Sequence, residues 1–127
     1  MSLSKFRILV VDDDVDLVKT LRTRLEFEGY ETSAAYEGVR AVEAAHKQKP
    51  HLILLDLRMP AGTGQSVLKT LRSHPDTEKI PIIIITAMDD PRLEIETKAA
   101  GAEEFFRKPY SIEILLEKIR FHLPQKP

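Results

Sequence analysis

The sequence predicts an open α/β fold, a doubly wound parallel sheet of five strands alternating with five helices. Three observations carry that prediction. Five short stretches of strand-like composition begin at residues 7, 31, 51, 82 and 104, a spacing that leaves room for a helix between neighbours and is too long for hairpins. Between these stretches the apolar period changes from strand-like to helical. Three of them (RILVV, HLILL and IIII) are apolar nearly without interruption, as parallel strands covered on both faces are.

The first strand is Arg7–Val11. Asp14 caps the helix that follows, Leu17, Val18, Leu21 and Leu25 give it an i, i+4, i+8 stripe, and Gly29 stops it. Glu31–Ala35 is weaker and reads as an edge strand; Val39, Val42 and Ala45 then mark a second helix that ends before Pro50. His51–Leu55 is the third strand, and Val67, Leu68 and Leu71 mark a third helix that ends before Pro75. Ile82–Ile85 is the fourth strand. Pro91 opens a fourth helix, with Leu93, Glu94 and Ile95 leading to Ala99, Ala100 and Gly101. Glu104–Phe106 is the other edge strand. Ser111 caps the last helix, Ile112, Leu115, Leu116, Ile119 and Leu123 form its stripe, and Pro124 stops it. One domain over residues 6–123 is expected, with a tail at 1–5 and a tail or the start of a linker at 124–127.

Composition narrows the function classes. The 127 residues are 43% hydrophobic and 31% charged, the balance of a soluble globular domain. Lys and Arg number 19 against 20 Asp and Glu, a formal charge of −1, so there is no global basic field to hold nucleic acid or an anionic membrane. The absence of cysteine excludes disulfides, thiolate metal sites and a cysteine nucleophile, and fits a cytoplasmic protein. The longest purely apolar runs, such as Leu52–Leu55, are too short for a membrane span or a signal-peptide core.

In an open parallel sheet, ligands bind outside the carboxyl ends of the strands. The first strand runs into Asp12-Asp13-Asp14, the third into Asp56, the fourth into Thr86-Ala87, and the fifth is followed by Arg107-Lys108-Pro109. Each residue alone has a bland explanation. Acids after a strand are often helix caps, a strand-end threonine is ordinary, and Arg107 and Lys108 could be solvated. Asp56 resists that explanation, because a lone carboxylate beside four apolar residues is costly unless paired, hydrogen-bonded or metal-bound. Asp12, Asp13 and Asp56 bring three negative charges and Lys108 returns one. Two carboxylates about 4 Å apart repel by roughly 4 kcal/mol at an effective dielectric of 20. An all-oxygen set with room for water suits Mg²⁺ better than a calcium cage. A carboxylate beside such an ion and an ammonium is equipped to attack a phosphoryl group, with Thr86 able to donate to the same phosphate.

Asp12-Asp13, Asp56-Leu57-Arg58-Met59-Pro60, Thr86-Ala87 and Lys108-Pro109, in this order and spacing, resemble the receiver domain of two-component response regulators. The resemblance covers Phe6 to about Leu123. It implies a flavodoxin-like strand order, 2-1-3-4-5, whose switch point lies between the two acid-bearing strands. It also implies roles: Asp56 as phosphoacceptor, Asp13 and Asp56 as direct Mg²⁺ ligands, Asp12 holding a metal-bound water, and the Arg58 backbone carbonyl as a further ligand. Lys108 would contact the phosphoryl group, Thr86 would be the switch hydroxyl and Phe105 the switch aromatic. Arg58 and Met88 would flank the path of hydrolytic water and set the phosphoryl lifetime. The implied donor is a sensor histidine kinase or a histidine phosphotransfer protein. The implied receiver of the signal is an effector or output domain, read through the face of helix 4, strand 5 and helix 5, which could also form a homodimer. Neither direct nucleic-acid nor membrane binding is expected, and the chain is no enzyme beyond catalysing its own phosphorylation and dephosphorylation. One departure is visible. Many relatives carry Met-Asp-Gly after the Met-Pro pair, where this chain has Gly62-Thr63-Gly64; Gly64 matches and is expected to relieve the turn into the third helix.

Two other readings compete. Asp12-x-Asp14 imitates the nucleophile motif of haloacid-dehalogenase-like phosphatases, but Asp14 is followed by Val15 rather than a glycine turn. A pseudo-receiver would bind partners without taking phosphate, although such domains usually lack an acid or the lysine found here. The Gly62-Thr63-Gly64 stretch lacks the third glycine of a dinucleotide fingerprint, and three aspartates would repel a flavin phosphate. His46, His51, His74 and His122 show no metal-binding spacing and read as surface histidines. No output region is expected within 127 residues, so the protein is either a stand-alone switch or a part of a longer regulator or hybrid kinase.

Overall fold

Ten elements alternate along the chain in a computed structural model that describes residues 5–59 and 63–127. They are β1 (Arg7–Val11), α1 (Val15–Phe27), β2 (Glu31–Ala35), α2 (Gly38–Gln48), β3 (Leu52–Leu55), α3 (Gly64–Arg72), β4 (Ile82–Thr86), α4 (Arg92–Ala99), β5 (Glu104–Arg107) and α5 (Ile112–His122). Pro60 and Gly62, and Met1–Ser4 of the N-terminal tail, lie outside the described residues. The sheet is parallel throughout, in the order β2-β1-β3-β4-β5, with Ile8 opposite Leu52, Ile53 opposite Ile82 and Ile84 opposite Phe105. The two sequences without a continuous apolar run are the two edges, as expected.

Strand alternation divides the core into two layers. Leu9, Val11, Ile53, Leu55, Ile82 and Ile84 pack beneath α2, α3 and Leu93 of α4. Ile8, Val10, Leu52, Leu54, Ile83 and Ile85 pack beneath α1 and α5. Each of these side chains is 5% exposed or less, and burying one stabilises the fold by roughly 1.5–3 kcal/mol before entropy is counted. None of the described helices is long and apolar enough to cross a membrane.

Asp14 and Ser111 cap as expected, accepting from the Leu17 and Ile114 amides, and Thr63 caps α3 in the same way. Gly29, at φ +98°, supplies the left-handed residue that ends α1. The structure corrects several details. β3 starts at Leu52 rather than His51, β4 and β5 extend to Thr86 and Arg107, and Pro91 is the cap of α4 rather than its first residue. Leu17 is 48%, Val39 55% and Ile95 74% exposed. A stripe of apolar spacing fixes which side of a helix faces inward, but not how far the sheet reaches beneath it. Leu17, in the first turn of α1, overhangs the carboxyl end of β1 and lines a cleft shared with Tyr110 and Ile112.

Candidate functional site

Asp12, Asp56 and Lys108 each stand two residues beyond an apolar residue of the α1–α5 layer: Val10, Leu54 and Phe106. The period of a strand therefore aims all three toward one place, although they come from three strands. Lys108 Nζ lies 2.7 Å from Asp12 Oδ2 and 2.9 Å from Asp56 Oδ2. The other oxygens are held locally, Asp12 Oδ1 by the Asp14 amide at 3.0 Å and Asp56 Oδ1 by the Arg58 amide at 2.9 Å. Both acids are buried, at 8% and 5% exposure. The Asp56 backbone amide donates to the Val11 carbonyl and the Asp12 amide to the Ala35 carbonyl, so the sheet ladder sets both positions.

Burial pushes the Asp12 carboxyl above its usual range; the Lys108 hydrogen bond and the Asp14 amide pull it part of the way back, and the Asp56 charge adds a smaller push. Desolvation, more than repulsion between the acids, dominates there. For Lys108, burial alone would lower the ammonium, but the hydrogen bonds to Asp12 and Asp56 and their charges outweigh it and leave the group raised. Tyr110, two residues on, is pushed up by burial. Tyr110 has no sequence signal beyond its place two residues after Lys108.

The remaining expected residues are distributed around this centre. Thr86 is fully buried, its hydroxyl accepts from the Met88 amide at 3.2 Å, and its carbonyl accepts from the Lys108 amide at 2.9 Å. By strand alternation Thr86 shares the α2–α3–α4 face with Ile84, and Phe105, paired with Ile84, packs half-buried on the same layer. Met88 packs against that layer as well. Asp13 is exposed at the rim, and the Arg58 side chain is exposed too. Among the described residues no three acidic or histidine side chains surround a common point as they stand. The donor set nevertheless fits a hard divalent ion: two buried carboxylates retain lone pairs beyond the bonds they make, and a third acid stands beside them.

Gly64 has a different role from the one expected. It is the first residue of α3, and its amide donates to the Leu57 carbonyl at 3.1 Å. A Cβ there would overlap the Asp56 carbonyl oxygen and lie 2.5 Å from Leu57 Cα. The residue permits a close approach of α3 to the Asp56–Leu57 backbone, rather than a strained turn.

A family model for the response regulator receiver domain matches residues 8–120. Response regulator MprA of Mycobacterium ulcerans is 39% identical over 114 residues, covering 90% of this chain and 48% of the relative; the Mycobacterium leprae protein of that name is equally identical over 114 residues. The chain thus spans about half the length of these curated relatives. Among solved structures, the chemotaxis protein CheY4 of Vibrio cholerae superposes with TM-score 0.87 at 30% identity, covering 94% of this chain and 100% of that one. The receiver domain of a signal transduction histidine kinase from Syntrophus aciditrophicus gives 0.86 at 31%, covering 93% and 89%.

Proposed function

Because the chain belongs to the response regulator receiver-domain family, in which aspartate phosphorylation and Mg²⁺ binding are typical, we propose that it is a phospho-receiver switch with Asp56 as acceptor. The observation that supports this most is the Lys108 ammonium held between two buried carboxylates, 2.7 and 2.9 Å from Asp12 and Asp56. The donor is a phosphohistidine of a sensor kinase or phosphotransfer protein. A carboxylate oxygen of Asp56 forms the new bond to phosphorus as the bond from phosphorus to the imidazole nitrogen breaks, and the departing imidazole keeps the electron pair and takes a proton. The Lys108 ammonium, already beside the acceptor, offsets charge on the transferring oxygens. Asp12, Asp13, Asp56 and the Arg58 carbonyl would hold Mg²⁺, which when bound neutralises charge on the acids and the phosphoryl oxygens.

Thr86 and Phe105 share one face of the sheet, which supports a coupled switch: Thr86 turns toward the phosphoryl group and Phe105 fills the space it leaves. The α4–β5–α5 face carries the signal to an effector or output region, or to a second copy; Ile95 on α4 and Ile114 on α5 are exposed apolar residues on those elements. Met88 and Arg58 set the phosphoryl lifetime, since neither orients an attacking water. A cytoplasmic location belongs to the same proposal.

The test is intact-mass analysis after incubation with a small acyl phosphate and Mg²⁺. One alkali-labile phosphoryl adduct per chain is expected, absent in Asp56→Asn. A full adduct on that variant overturns the acceptor assignment. Steady release of phosphate without an adduct would favour the phosphatase reading instead.

A further inference from the structure

At the amino edge of the sheet, away from the acids, the fold brings together two histidines that the sequence separates. His46 lies in the last turn of α2, and His74 follows α3 directly. Their ring centroids are 5.2 Å apart, with planes at 84°. His46 Nδ1 is 2.7 Å from the Asp76 carboxylate, and His74 Nδ1 is 2.8 Å from the Thr70 carbonyl oxygen. Both partners only accept, so each Nδ1 carries the hydrogen. In the neutral rings this leaves a lone pair on each Nε2, and neither Nε2 has a protein partner among the described residues. A carboxylate or carbonyl on the far nitrogen is the arrangement that orients a metal-ligating imidazole and raises its basicity. Both rings reach solvent, the His46 side chain being 31% exposed, and Asp76 places a negative charge beside them.

We propose that His46 and His74 form a surface site for a borderline divalent transition ion of the Zn²⁺ or Ni²⁺ class, with Asp76 positioning the His46 ring. Imidazole suits these ions and not Mg²⁺, which separates this site chemically from the all-oxygen edge at the other end of the strands. Among the described residues no group of three histidine or acidic side chains could hold a metal ion, so the two imidazoles would be the protein's ligands and water would complete the coordination. A bound ion joins the C-terminal ends of α2 and α3.

Zn²⁺ is titrated into the full chain with Mg²⁺ in excess, to keep the acid edge occupied. Calorimetry and the ring ¹⁵N resonances are the readouts. One Zn²⁺ per chain is expected, with both Nε2 resonances moving together. His46→Asn and His74→Asn should each weaken binding by at least about tenfold, and Asp76→Asn by about tenfold while stoichiometry is kept. His122→Asn should bind as the parent does. His74→Asn and Asp76→Asn, at exposed positions, should leave metal-free melting near the parent value. Rings that respond independently, or affinity that survives loss of either histidine, overturn the proposal.

Discussion

The two ends of the sheet hold their polar groups in opposite ways. At the carboxyl end, Asp12, Asp56 and Lys108 are bound mainly to one another, and the two backbone amides that assist them lie only two residues along the chain. At the amino end, side chains bind mainly to backbone groups of other segments. The Arg72 guanidinium donates to the Gly101 carbonyl through Nε and an Nη, to the Ile80 carbonyl, and to the Glu103 carboxylate at 2.7 Å. Glu103 in turn accepts from the Ile82 amide. His51 Nδ1 accepts from the Arg7 amide, joining β1 to the start of β3. One end therefore ties side chains to the backbone of neighbouring segments, and the other packs charge against charge. Substitutions at the two ends should change stability with opposite sign.

The largest effect expected is at an apparent exception. Gly64 is at the carboxyl end, yet Gly64→Ala should destabilise by about 3 kcal/mol or more, the upper end of overpacking costs. The atoms a methyl would meet are the backbone of Asp56 and Leu57, which cannot rotate away. Urea denaturation measures the loss, and acceptor activity should fall with it because the Asp56 backbone must shift. A change near zero would mean that α3 can retreat from the Asp56–Leu57 backbone. The contrast between the two ends would then hold without a backbone constraint.

Next in size is Arg72→Met. It leaves the Gly101 carbonyl without its donor and Glu103 without its cation, and each lost charged hydrogen bond is worth about 1.5–3 kcal/mol. The network is not fully buried (Arg72 is 18% exposed along its side chain), so a net loss of about 2–3 kcal/mol is expected. Phosphoryl acceptance by the folded fraction should be unchanged. A loss below about 0.5 kcal/mol, within the range of ordinary surface substitutions, would remove the distinction drawn between the two ends.

These two sites also show where the sequence stopped being legible. The continuously apolar runs separate inner strands from edges, the strand order comes only with the family resemblance, and the acids and Lys108 are visible because each directly follows a strand. Local spacing carries that much. Arg72 and Glu103 belong to segments distant in sequence, and nothing local marks an arginine at a helix end as the hub of three chain segments. The glycine at 64 is plain in the sequence, but the close backbone approach it permits leaves no signature in spacing. Leu17, Val39 and Ile95 misled because apolar periodicity does not reveal where the supporting sheet ends. His46 and His74 are far apart in sequence, and only the packing of α2 against α3 makes them neighbours.

The third effect has the reverse sign. Folding raises the Asp12 carboxyl, chiefly through burial, so the fold favours its protonated form and holds the charged form at a cost near neutral pH. Asp12→Asn should therefore stabilise the metal-free protein at pH 7. An asparagine oxygen can still accept from the Asp14 amide. The advantage should shrink as pH falls and Asp12 in the parent takes up its proton. Thermal melting from pH 7 to 4 follows it, while phosphoryl transfer should be impaired throughout. A destabilised variant at pH 7 would mean that the Lys108 contact outweighs the burial cost, and the carboxyl end would then stabilise the fold as the amino end does.

The smallest effect tests the amino end by pH. Burial first, and the nearby Arg7 charge second, hold the His51 imidazole below its ordinary value of 6.5. The Arg7 amide, 2.9 Å from Nδ1, needs an unprotonated acceptor there. The unfolded chain consequently takes up this proton at a higher pH than the folded one, and stability rises with pH wherever the unfolded state binds more protons. The His51 contribution should be complete above about pH 7, decline as pH falls through 6.5, and level off once the folded imidazole is itself protonated. His51→Gln offers an oxygen to the same amide and does not titrate. The difference in stability between parent and variant, followed by denaturant unfolding from pH 7.5 to 5, should therefore move against the parent as the solution becomes more acidic. Parallel profiles would show that His51 gains no proton differentially. The link from β1 to β3 would then be insensitive to charge, and the amino end would hold the fold by hydrogen-bond geometry alone.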